Sequence, residues 1–157
     1  MHKHSLTLAA ILSSATFSTA SIAFASVPAA AATKVAPADE YFGPLAMSIL
    51  GIKNALKDAA ARLDADPSAD EDAALRHIAL VETSIHDWEA KYPGDNWLPR
   101  TLLALHRVYS RIHSEDGRRH ATDTASWLMG KYAKTAEART LRSEFDQAMT
   151  TGEPETR

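Results

Sequence analysis

The chain has 157 residues, with 17 Lys+Arg against 20 Asp+Glu, a net charge of −3, and no cysteine. So mild a charge excludes the strongly basic footprint of a general nucleic-acid binder. The missing thiols exclude disulfides, thiolate catalysis, a lipid-modified cysteine and covalently attached haem.

The N-terminus reads as an export address. His2-Lys3-His4 is a short basic start, the run Leu6 to Phe24 is apolar and small, and Ala23-Phe24-Ala25 supplies an A-x-A cleavage pattern before Ser26. Residues 1–25 are therefore predicted to be a signal peptide, and the mature chain a free periplasmic or secreted protein. The run is diluted by Ser13, Ser14, Thr16, Ser18, Thr19 and Ser21, so no membrane span is expected after processing. Residues 26–38 are mostly Ala, Pro, Val and Lys without an amphipathic period, which predicts a flexible lead-in. One domain over residues 39–149 and a disordered tail over 150–157 complete the expected organisation.

From there apolar residues recur with gaps of three and four, the spacing of one helix face, and strand-like alternation does not occur. An all-α fold of about five antiparallel helices follows. A first helix is predicted from Pro44 to Leu63, with Phe42, Leu45, Ile49, Ile52, Leu56, Ala59 and Leu63 on its inner stripe. Pro67 ends it, and Ser68-Ala69-Asp70-Glu71 reads as a capping box for a second helix that buries Ala74, Ile78, Val81, Ile85, Trp88 and Tyr92. Pro93-Gly94 stops that helix, Asp95 or Asn96 caps a third, and Leu98, Leu102, Leu105, Tyr109 and Ile112 face inward. A polar turn at Ser114 to Gly117 leads to a fourth helix burying Ala121, Ala125, Leu128 and Tyr132, and a fifth carries Ala138, Leu141, Phe145 and Ala148.

Short loops make successive helices neighbours, as stacked hairpins or as a small bundle. Two corners repeat: Lys91-Tyr92-Pro93 and Lys131-Tyr132-Ala133 each end a helix, and each is followed by Arg-Thr-Leu, at Arg100-Thr101-Leu102 and Arg139-Thr140-Leu141. Over residues 69–148 this pattern resembles tetratricopeptide-like helical hairpin repeats, with Ala133 in place of the second proline and a spacing of 40 residues rather than the usual 34. The resemblance implies a stack of hairpins serving protein binding. The segments Asp39 to Gly43, Met47 to Ile52 and Trp88 to Leu102 are similar to a group of exported Gram-negative proteins whose activity is uncharacterised.

The candidate contact residues are Trp97, Arg100, Arg107 and Arg111. Intervals of seven and four put the three arginines on the side of the third helix opposite its apolar stripe, and Trp97 opens that helix beside Arg100. Residues 97–142 hold nine Lys+Arg and four Asp+Glu, whereas 38–96 hold five and twelve. This polarity suits either an anionic partner or pairing of the two halves within one fold. Trp88 belongs in the core by its spacing.

The five histidines beyond the signal peptide have no metal-converging spacing. His113, Glu115, Asp116 and His120 share a polar turn, and no nucleophile elbow or phosphate loop is present. No catalytic residue, metal or cofactor is expected. The expectation is a periplasmic helical interaction or adaptor module meeting another envelope protein, the alternative a periplasmic bundle holding a small ligand or metal.

Overall fold

The computed structural model describes residues 35–65 and 70–151, five α-helices without a strand among them. The helices are α1 (Ile49–Ala65), α2 (Glu71–Lys91), α3 (Leu98–Tyr109), α4 (Glu115–Lys131) and α5 (Ala136–Thr151). The predicted signal peptide, the lead-in before Val35 and the end of the tail lie outside the described residues. No helix among the described residues is long and apolar enough to cross a membrane.

The all-α fold expected from the spacing is the fold observed, and α3 is its axis. All four other helices pack against α3, and Leu98, Leu102, Leu105 and Tyr109 are fully buried. Ion pairs and ring contacts give the helix directions. Lys53 lies over Trp97 while Asp64 meets Arg111, so α1 runs parallel to α3. Arg100 meets Glu137 while Arg107 meets Glu144, so α5 runs parallel to it too. Glu82 faces His120 while Glu89 faces Lys131, which aligns α2 with α4.

Several boundaries differ from expectation for identifiable reasons. The first helix does not start at Pro44. Phe42 and Met47 instead exchange two backbone hydrogen bonds of 2.9 Å across a tight turn. Gly43 has φ +64°, and a Cβ there would stand 2.6 Å from the Ser84 backbone, so only glycine allows this turn to lie so close to α2. Its N–H donates to Asp87 at 3.0 Å, a bond that, with Lys91, holds the Asp87 carboxyl below its ordinary range. Leu45, expected on the inner stripe, is therefore an exposed turn residue. The helix begins after Ser48, whose hydroxyl accepts from the Gly51 N–H at 3.1 Å.

Asp70 caps α2, accepting from the Ala73 N–H at 2.8 Å. Glu71, the expected far member of a capping box, instead takes the His113 N–H at 2.9 Å. Ser114 caps α4 through the Gly117 N–H, so the expected polar turn is already the first turn of that helix. Phe145 and Ala148 were expected inside, but α5 buries only Ala138 and Leu141; Phe145 is 37% exposed, edge-on to His106. The lead-in packs earlier than its composition suggests: Ala36 is buried, and its N–H donates to Asp95 at 2.9 Å.

Candidate interaction surface

The corner before α3 is organised by Asp95, a carboxylate only 1% exposed. One of its oxygens accepts from the Trp88 indole N–H at 3.1 Å and from the Ala36 N–H; the other accepts from the Trp97 N–H at 3.0 Å. A buried carboxylate is tolerable when it takes several donors. Asp95 thus fixes the backbone that presents Trp97, rather than capping α3 by the usual pattern; Trp97 itself holds the cap position, with Pro99 in the first turn.

Trp97 keeps 38% of its surface exposed. The Lys53 ammonium sits 4.2 Å from its ring centroid and the Arg100 guanidinium 5.3 Å, both within cation–π range. Trp97 and Arg100 therefore form the pair the sequence suggested, with Lys53 of α1 as an addition.

Arg100 and Arg107 lie along the side of α3 left uncovered, whereas Arg111, expected on the same helix, follows in the turn after Tyr109. Arg100 Nε is 4.0 Å from Glu137, Arg107 pairs with Glu144, and Arg111 Nε donates to Asp64 at 2.6 Å. Every one of these side chains retains more than a fifth of its surface, the least exposed being Glu137 at 22%. Such pairs contribute little to stability and exchange readily with solvent or a competing charge. The internal pairing considered from charge polarity is real for Arg111, His113, His120 and Lys131, which meet acids of α1 and α2. Arg100 and Arg107 pair instead within the C-terminal half.

Between α1 and α3 runs a groove of about 330 Å³. Leu56, Leu103 and Val108 form its floor, and Lys53, Lys57, Arg100, Arg107 and Arg111 its walls. No carboxylate lines it. Lys53 and Lys57 were not singled out in the sequence, although their interval of four on a predicted helix was visible; what was hidden is that α1 lies beside α3.

A second polar group, also unforeseen, joins α2 to α4. Glu82 accepts from the Tyr109 hydroxyl at 2.7 Å and meets His120 Nδ1 at 3.0 Å. Glu89 accepts from Trp127 Nε1 at 3.0 Å and from the Tyr132 hydroxyl, with the Lys131 ammonium at 2.8 Å. Burial raises the Glu89 pKa, but Lys131, Tyr132 and Trp127 outweigh it and hold the carboxyl below its usual range. Burial first, and the facing glutamate second, push the Tyr109 and Tyr132 hydroxyls well above theirs. All these groups find partners, and no buried side-chain N or O among the described residues lacks one.

The polar residues that share the α3–α4 turn do not gather at one point. His113 pairs with Glu71, His120 with Glu82, and Asp116 with Arg119. Among the described residues no three His, Asp or Glu side chains converge as metal ligands. Ser110 stands 3.4 Å from His106 Nε2, but its hydroxyl donates to the His106 carbonyl at 2.8 Å, which is helix back-bonding rather than activation of a nucleophile. No protein-family model, characterised protein or solved structure matches the chain.

Proposed function

We propose that the chain is a helical interaction module of the cell envelope that contacts another envelope protein through the open side of α3, with Trp97, Arg100, Arg107 and Arg111 as the contact residues. One observation carries this reading. The helix against which all the others pack, with nine of its twelve residues buried, leaves free a single strip, and that strip is basic and flanked by an exposed tryptophan. Tryptophan and arginine are among the residue types enriched at the hot spots of protein interfaces. The repeated Lys-Tyr corners support a reading as stacked hairpins of the tetratricopeptide kind, and the basic start, apolar run and A-x-A pattern of residues 1–25 support export.

A photo-crosslinking amino acid at Ala104, between Arg100 and Arg107 on the strip, tests the contact in intact cells. The expected result is a discrete adduct that fades when Arg100, Arg107 and Arg111 are all changed to Gln. An adduct indifferent to those changes, or equally strong from Thr83 on the exposed side of α2, contradicts it. N-terminal sequencing of protein recovered from the envelope should begin at Ser26.

A further inference from the structure

We infer that the partner presents an acidic segment carrying one bulky apolar side chain at one end, with its carboxylates lying along the α1–α3 groove and its apolar anchor seated beside Trp97. This rests on the reading of the α3 strip as a contact surface and adds to it the occupant and its orientation.

The charge count of the groove is the first argument. Of its five cations, Arg100, Arg107 and Arg111 are balanced by Glu137, Glu144 and Asp64. Lys53 and Lys57 of α1 meet no carboxylate among the described residues, which leaves the groove with two uncompensated positive charges. An anionic guest is attracted to those two, and it can compete for the arginines because their present pairs are exposed.

The distribution of the cations is the second argument. From Arg100 to Arg107 they extend over about 10 Å at the helical rise of 1.5 Å per residue, and Arg111 continues the line in the turn after α3. A lone head group would call for cations gathered at one point, whereas charges strung along a line suit a guest with charge along its length. Leu56, Leu103 and Val108 beneath are no more than 8% exposed, while the accessible lining is largely apolar, as long lysine and arginine side chains present aliphatic stems below their charged heads.

An apolar shelf continues the groove at the end nearer Trp97. Lys53 lines both the groove and an adjoining hollow of about 250 Å³, whose other walls include Trp97, Val35, Ile49 and Leu50. Val35 is 55% exposed and Leu50 65%. An exposed apolar patch rimmed by charge marks a contact site. A bulky apolar residue there would cover Trp97 and Leu50 while the rest of the segment runs toward Arg111. The Trp97 ring already carries Lys53 and Arg100, which disfavours a stacked nucleobase and favours an aliphatic or aromatic side chain against its edge.

Three synthetic twelve-residue peptides test the inference by calorimetry with the full chain. The first has a single leucine at one end and glutamates at every third or fourth position, the second replaces the leucine by serine, and the third replaces the glutamates by glutamine. The first should bind about tenfold tighter than either of the others. Lys57→Glu should weaken it by about fivefold or more, Leu50→Ser should bring it to the affinity of the serine peptide, and Lys134→Glu on the remote α4–α5 turn should change nothing. Leu50 and Lys57 are surface residues, so both variants keep the fold.

Equal binding of the first two peptides, both weakened by Lys57→Glu, overturns the anchored segment but leaves the groove as the contact surface. Absence of binding by all three, or binding indifferent to Lys57→Glu, overturns the groove as well. Vesicles of anionic phospholipid, or an oligothymidylate, that bind more tightly than the first peptide and lose binding in Lys57→Glu overturn the inference in favour of a membrane surface or a nucleic acid.

Discussion

The seam between α2 and α4 and the groove between α1 and α3 are built from similar chemistry arranged to opposite ends. At the seam the carboxylates are enclosed: the Glu82 and Glu89 side chains are 14% and 10% exposed, and each meets two or more donors. Along the groove the acids face cations at the surface, Asp64 being 58% exposed and Arg100 67%. Removing a partner inside the seam strands the others in a low-dielectric setting, while removing one from the groove exposes a charge to water that already surrounds it. The same kind of ion pair therefore holds the fold in one place and remains available for exchange in the other.

Four changes break or sharpen that contrast. The deepest reference is Trp88→Ala, which empties the corner packed against Phe42 and removes one of the two donors to a buried Asp95 oxygen; it should cost about 4 kcal/mol in urea unfolding. Glu89→Ala, which leaves Lys131, Trp127 Nε1 and the Tyr132 hydroxyl without their shared acceptor, should cost about 3 kcal/mol. A loss below about 1 kcal/mol would mean the seam is no more than a surface pair.

Acid titration sharpens the same point through Glu89→Gln. The Glu89 carboxyl sits below its ordinary value of 4.5 in the folded chain, so its contribution is complete above that pH and is lost as pH falls through the lowered folded value. The stability gap between parent and variant should therefore be constant near neutrality and close in acid. A gap independent of pH would show that the charge of Glu89 is not what binds the seam. The smallest effect is expected for Arg107→Gln, which removes the exposed pair with Glu144 and should change stability by less than about 0.5 kcal/mol.

The two regions were unequally legible in the sequence. The α3 stripe from Leu98 to Tyr109 announces itself by period, as do Arg100 and Arg107 on the other side, because both are properties of a single helix; Arg111 and Ile112 fit the same periods but lie just past the end of α3. The seam is a property of two helices. Glu82 and Glu89 stand seven apart, each one residue beyond an apolar position, and look like solvated flanks until α4 brings Trp127, Lys131 and Tyr132 against them. Lys53 and Lys57 were hidden in the same way, since only the parallel packing of α1 on α3 makes them walls of a groove. The turn at Phe42 to Met47 escaped because Pro44 reads as a helix start, whereas the positive φ of Gly43 and its seat on Ser84 decide otherwise. Phe145 fits an inner stripe by spacing, but no further helix covers that side of α5 among the described residues.

Fold and contact come apart most cleanly in the combined variant Arg107→Gln, Arg111→Gln, measured for thermal midpoint in vitro and for crosslinking from Ala104 in cells. A midpoint within a few degrees of the parent, together with an adduct reduced severalfold, is the expected pair of results. A midpoint far below the parent, or an undiminished adduct, would show that these arginines serve the fold or nothing, and that the partner meets the molecule elsewhere.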